Sequence, residues 1–268
     1  MLKLVIAALL AIAALLLAMN LLQTQLLFPT HAVQAAGPLP PGAARLELHT
    51  PGGERLHGVL LPASASRVGP KILVLGFGGN GWNGQHVAEY LGQIYPDADV
   101  VAFHYRGYRP STGSPSAAAL IEDAPRIFDQ AVAQVKPDRV VAVGFSIGSG
   151  VAANLARHRP VDGLILVTPF DSLKLVATDL FPWLPVGSFF EHELATADDL
   201  RETTTPVAML AAGRDEIVAP SRTEALRRVV PNLAFDRTFE RAGHNDIYHR
   251  PDFQDAMREA RSALIRKD

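Results

Sequence analysis

The sequence predicts an α/β fold with a mostly parallel central sheet and helices on both faces. Five near-continuous apolar runs, "KILVLGF" (71–77), "DVVAFHY" (99–105), "RVVAVGF" (139–145), "GLILVTPF" (163–170) and "VAMLAAG" (207–213), read as strands buried on both faces. Longer helical patterns, including "SAAALIEDAPRIFDQAVAQV" and "PSRTEALRRVV", separate them. Strand–helix alternation of this kind makes a parallel sheet, because each crossover lays its helix on a sheet face. The 268 residues, 48% hydrophobic and 19% charged, suffice for one sizeable domain with an appendage.

The appendage comes first. Leu4 to Leu22 is an apolar run in which Asn20 is the only polar residue, and Lys3 stands just before it. As a helix it is about long enough to cross a bilayer core. A retained membrane anchor is therefore expected over 1–24. A cleaved signal peptide, with "AVQAAG" offering a site near Ala35, and a buried core helix are the alternatives. Lys3 and the α-amino group favour a cytoplasmic N-terminus, since no Lys or Arg follows until Arg45, so either leading reading exports the rest of the chain. The expected location is a single-pass membrane protein with its catalytic domain exported, or a secreted or periplasmic one after cleavage. Residues 25–44, with "GPLPPGAA", read as a Pro-rich linker.

The domain then spans 45–268. "RLELHT" and "LHGVLLPA" alternate at period two around "PGG", an opening antiparallel hairpin. The five runs follow, and "LAFDRTFE" with the amphipathic "PDFQDAMREARSALIRK" completes the domain. Residues 171–205 form the only sizeable insertion, and its apolar "LVATDLFPWLPVGSFF" predicts a small cap over an apolar pocket, a surface near a bilayer, or ordinary core packing.

Composition excludes several functions. A formal net charge of −2 with mixed signs gives no basic footprint for nucleic acid. Cys is absent, which removes a disulfide framework, a thiolate metal site and a cysteine nucleophile. No His and carboxylate cluster has metal-ligand spacing, and "GFGGNGWNG" (76–84) lacks both the phosphate-loop lysine and dinucleotide-loop spacing. No cofactor is expected. The oligomeric state is not legible.

In a parallel sheet, ligands bind beyond the carboxyl ends of the strands, so the residues after each run matter most. Ser146 in "GFSIG" directly follows the 139–145 run and precedes a helix rich in small residues. Taken alone it serves equally as a nucleophile on a tight strand–helix turn or as a helix N-cap. A serine nucleophile needs a base, and the base an orienting carboxylate. Asp215 follows the next-to-last strand and His244 the last, giving the order Ser, acid, His. Glu216 is the neighbouring alternative to Asp215. His104, His158 and His192 lack a comparable position. The Ile147 amide, at a helix N-terminus, and a backbone N–H of the glycine-rich loop are the oxyanion donors to expect. Gly79 is the first candidate there, with Gly78 and Asn80 beside it.

With "GFSIG", "GRDEIV" and "AGHND", the chain resembles the α/β-hydrolase superfamily. "YRGYRPSTGSPS", "EDA" at 122–124, "TPFDSL" and "LLFP" resemble a narrower group. Its members are membrane-anchored serine hydrolases, including monoacylglycerol lipases, lysophospholipid lipases and protein depalmitoylases. The resemblance spans about Leu46 to Arg250 plus the anchor. It implies Ser146 as nucleophile, Asp215 as orienting acid, His244 as base and Ile147 as an oxyanion donor. Relatives often carry His-Gly where this chain has Phe77-Gly78, which bears on Gly79. Arg106 and Asp123 fit the pattern as a pair holding the "RGYRPSTG" loop, with substrate contact the alternative. The expected activity is hydrolysis of carboxylic esters or thioesters of lipophilic acyl substrates through an acyl-enzyme. A serine peptidase or amidase, or an inactive hydrolase fold used for binding, are the alternatives.

Overall fold

A computed structural model describes residues 1–66, 69–183 and 186–265. Leu184 and Pro185 of the expected cap, and the end of the terminal helical pattern, lie outside the described residues. After the N-terminal helix α1 (Leu2–Leu27) comes the expected hairpin of β1 (Ala44–His49) and β2 (Arg55–Leu61). Alternating units follow: β3 (Ile72–Phe77), α2 (Gly84–Ile94), β4 (Asp99–Phe103), α3 (Ala117–Val135), β5 (Arg139–Phe145), α4 (Ile147–His158) and β6 (Gly163–Val167). Among the described residues the insertion holds three short helices, α5 (Leu173–Leu180), α6 (Val186–Phe189) and α7 (Thr196–Arg201). The chain closes with β7 (Val207–Ala212), α8 (Pro220–Arg227), β8 (Leu233–Phe239), a 3-10 turn at Ile247–His249 and α9 (Phe253–Leu264).

The strands form one eight-stranded sheet in the order β1-β2-β4-β3-β5-β6-β7-β8, antiparallel at β1–β2 and β2–β4 and parallel elsewhere. Period-two alternation divides the apolar runs between two cores. Leu73, Leu75, Val140, Ala142, Leu164 and Leu166 face α3 and α4. Val74, Val141, Val143, Ile165 and Val167 face α2 and α9. A residue apolar at every position of a strand is thus used on one face or the other. From β3 the chain moves outward to β4, and from β5 it moves the opposite way to β6. The carboxyl ends of β3 and β5 therefore border the crevice where connections diverge, the place such sheets hold ligands.

The N-terminal segment is helical, but among the described residues no helix is long and apolar enough to cross a membrane. Many side chains of its apolar run, including 11–13 and 18–21, lie outside the described residues. The expected membrane-spanning helix therefore has no support from the structure. The Pro-rich stretch expected as a linker lies against the domain. Phe28 is 2% exposed within the core. Asn83 Nδ2 donates to the Gln34 carbonyl at 2.8 Å, and Gln85 Nε2 to that of Pro38 at 3.1 Å. A chain with few internal hydrogen bonds leaves carbonyls open to such side-chain donors.

Candidate active site

Ser146 is the single residue between β5 and α4, and it sits at φ 50°, ψ −116°. A side chain in this left-handed region costs on the order of 1–3 kcal/mol and persists only where its surroundings hold it. They do so here. Ser146 N–H donates to the Val167 carbonyl at 2.9 Å, and the Ser146 carbonyl accepts from Ser149 N at 2.8 Å and Ser149 Oγ at 2.6 Å. The flanking glycines allow the sharp bend, because a Cβ on Gly148 would stand 2.2 Å from the Phe77 carbonyl oxygen and one on Gly144 would stand 2.3 Å from that of Gly148. Helix α4 thus lies against the end of β3 at backbone distance. Ser146 makes no side-chain cap bond to α4. Its hydroxyl stands 2.9 Å from His244 Nε2.

His244 follows β8 and Asp215 follows β7, and both are buried. His244 Nδ1 lies 2.8 Å and 2.9 Å from the two Asp215 carboxylate oxygens. Asp215 Oδ1 also accepts the amides of Ile217 at 2.9 Å and Val218 at 2.7 Å. A carboxylate only accepts, so Nδ1 carries the hydrogen and Nε2 is left to accept from the serine hydroxyl. Glu216 does a different job: its Oε2 accepts the backbone N–H of His244 at 3.1 Å. The adjacent acid thus fixes the loop while Asp215 meets the ring.

The loop after β3 runs beside Ser146. A Cβ on Gly79 would stand 3.7 Å from both Ser146 Cβ and the Phe145 carbonyl oxygen, an ordinary contact. Two tyrosines hold this loop. Tyr105 donates its hydroxyl to the Gly78 carbonyl at 2.8 Å, and Tyr108 to that of Asn80 at 2.9 Å. With both carbonyls engaged on the tyrosine side, the loop is fixed next to the α4 N-terminus, where the Ile147 amide lies in the first turn and has no intrahelical acceptor. The tyrosines were not singled out from sequence, although both stand in "YRGYRPSTG". The Arg106–Asp123 pair is as expected. Arg106 Nε and Nη2 meet the two oxygens of buried Asp123 at 2.8 and 2.7 Å, with Glu54 and Glu122 at 3.5 and 3.2 Å. Burial raises the Asp123 carboxyl, and Arg106 opposes that shift. This bidentate fork ties the tyrosine-bearing turn to α3, while Ser111 and Thr112 bond it to β2.

Ser146 opens into a cavity of about 300 Å³ lined also by Asn80, Ile147, Phe170 and Val218. Leu173, Val176, Leu180, Phe181 and Phe189 line it from the cap, and Gln23, Leu26 and Leu27 from α1. That α1 reaches the cavity is absent from the sequence reading, where the segment was an appendage. "LLFP" (26–29), which contains buried Phe28, was its signal. The other histidines lie elsewhere. His104 is buried beneath α2, its pKa pushed down by burial to about 4. His158 contacts the Asn154 carbonyl, and His192 meets Thr24. Among the described residues no group of three His, Asp or Glu side chains is arranged to hold a metal ion.

A family model for the alpha/beta hydrolase fold matches residues 72–187. An uncharacterized protein of Mycobacterium tuberculosis is 31% identical over 221 residues, which cover 79% of this chain and 78% of that protein. The chain belongs to the α/β-hydrolase superfamily. The lysophosphatidylserine lipase of Danio rerio is 31% identical over 137 residues, covering 44% of this chain and 36% of the lipase. An esterase of Pyrococcus furiosus superposes with a TM-score of 0.68 at 16% identity, covering 87% of this chain and 96% of the esterase. That last likeness is one of fold.

Proposed function

We propose that the chain is a serine hydrolase that cleaves carboxylic ester or thioester bonds of lipophilic acyl substrates. The observation that carries this reading is the continuous chain of hydrogen bonds from Asp215 through His244 to Ser146, ending in an apolar cavity. Ser146 Oγ attacks the acyl carbonyl while His244 Nε2 takes its proton, and the resulting imidazolium is stabilised by Asp215. The tetrahedral oxyanion is bound by the amides of Ile147 and Gly79, with the α4 dipole favouring the charge. Collapse breaks the bond to the leaving oxygen or sulfur, which receives the proton from His244. Water, deprotonated by His244, then attacks the acyl-enzyme and releases the carboxylic acid, restoring Ser146.

The apolar run Leu4–Leu22 motivates the further proposal that the protein is held at a membrane by its N-terminal segment, with the catalytic domain exported. The test of the activity compares matched ester, thioester and amide substrates of one acyl chain. The ester and thioester are expected to be cleaved well ahead of the amide. Preferential amide cleavage would make the enzyme an amidase instead.

A further inference from the structure

The last turn of α1 is built into the cavity beside Ser146. Gln23, Leu26 and Leu27 line it together with Phe170 and Val218. Four contacts fasten that turn and Phe28 to residues 189–192, at the end of α6 and before α7. Gln23 Nε2 donates to the Phe189 carbonyl at 3.2 Å, and Gln23 Oε1 accepts from Glu191 N–H at 3.1 Å. Thr24 Oγ1 stands 2.7 Å from His192 Nε2, and the Phe28 ring meets the His192 ring edge-on at 5.3 Å. The amide of Gln23 thus pairs with backbone on both sides, a two-point contact that fixes the register of α1 against the cap. Phe28, directly after it, is sealed in the core. Leu27 is half-buried, packed against the core, whereas Leu26 is 66% exposed and still lines the cavity, which puts it at the mouth.

We infer that the C-terminal turn of α1 is the specificity-determining wall of the acyl site, with Leu26 as the side chain an acyl chain must pass. This inference rests on the proposed hydrolase reading of the same cavity. It assigns the N-terminal segment a second role beside any role in anchoring, because the helix that carries the apolar run Leu4–Leu22 ends in the residues that line the cavity. The ligand that fits is a single acyl chain. The largely apolar lining and a volume of about 300 Å³ suit such a chain. Signal cleavage near Ala35 would remove Gln23 to Phe28 and leave the cavity open along one side.

The test uses the full chain in detergent, with p-nitrophenyl acetate and decanoate as substrates and the ratio of their kcat/KM values as the readout. Leu26→Trp, which fills the mouth, is expected to lower the decanoate-to-acetate ratio about tenfold, the scale of discrimination a hydrophobic pocket gains or loses with a few atoms. Leu26→Ser, which strips the wall of its apolar contact, should lower it by a smaller factor. Leu10→Trp, on an exposed part of α1 away from the cavity, should leave the ratio as in the unaltered chain. A ratio is insensitive to a reduced fraction of folded enzyme, so partial misfolding does not mimic the effect. If the unaltered chain cleaves both esters and both Leu26 variants keep its ratio within about twofold, the wall is refuted and the hydrolase reading stands. If the unaltered chain cleaves neither ester, the hydrolase reading fails and the inference falls with it.

Discussion

Replacing Asp215 with Asn is the most informative single change, because the geometry dictates how it should fail. Asp215 Oδ1 is held by two backbone amides, from Ile217 and Val218. In Asp215→Asn the amide oxygen must keep that position, since an NH2 group there would face two donors. The side-chain nitrogen then occupies the Oδ2 position, 2.8 Å from His244 Nδ1. It donates, so Nδ1 must accept and the ring hydrogen moves to Nε2. That hydrogen points at Ser146 Oγ, 2.9 Å away, and the base is gone. A wrong tautomer in an otherwise intact site of this kind costs about four orders of magnitude in kcat, or about 5 kcal/mol of barrier. Stopped assays on a soluble short-chain ester would measure it, with circular dichroism to establish that the variant is folded. Glu216→Gln is the companion. It keeps an acceptor oxygen for the His244 amide, so a loss of no more than about tenfold is expected. Activity of Asp215→Asn within about tenfold of the unaltered chain would refute the reasoning, as would an equal loss from Glu216→Gln.

Tyr105→Phe removes the hydrogen bond to the Gly78 carbonyl and leaves that buried oxygen without its partner, a cost of about 1–3 kcal/mol in urea unfolding. Loosening the loop beside Ser146 should also lower kcat about tenfold with little change in KM, a fraction of what complete loss of an oxyanion donor costs. His104 is held neutral by burial, with the His57 and His86 charges adding to the effect, and its pKa is about 4 against an ordinary 6.5. The folded state therefore takes up its proton later than the unfolded chain, and stability is lost as pH falls through that window. Between about pH 7 and 5 the loss from this group is about 2 kcal/mol. His104→Asn, which cannot titrate, should show a correspondingly smaller drop in its urea midpoint over the same range.

The sheet was legible because its strands are buried on both faces, which leaves near-continuous Val, Leu and Ile runs in the sequence. The hairpin was legible from period two around "PGG". Ser146, Asp215 and His244 could be picked out because each lies at or in the loop after the carboxyl end of a strand, and chain order then implies a shared end of the sheet. The side chains that tune the site were harder to see. Tyr105 and Tyr108 act by donating to backbone carbonyls of a loop far away in sequence, and no local pattern announces such a bond. The role of α1 was hidden for a related reason. Its composition speaks of lipid, whereas Gln23, Thr24 and Phe28 act through partners more than a hundred residues away. Glu216 and Asp215 were separable only in space, since adjacent acids differ in direction and not in type.

The central claim is that Ser146 is a nucleophile activated by His244. Treating the full chain with a fluorophosphonate and locating the adduct by peptide mass spectrometry tests it directly. The expected result is a single phosphonylated serine, Ser146, with labelling lost in Ser146→Ala and strongly slowed in His244→Ala. Labelling that persists in Ser146→Ala, or an adduct on another residue, would contradict it.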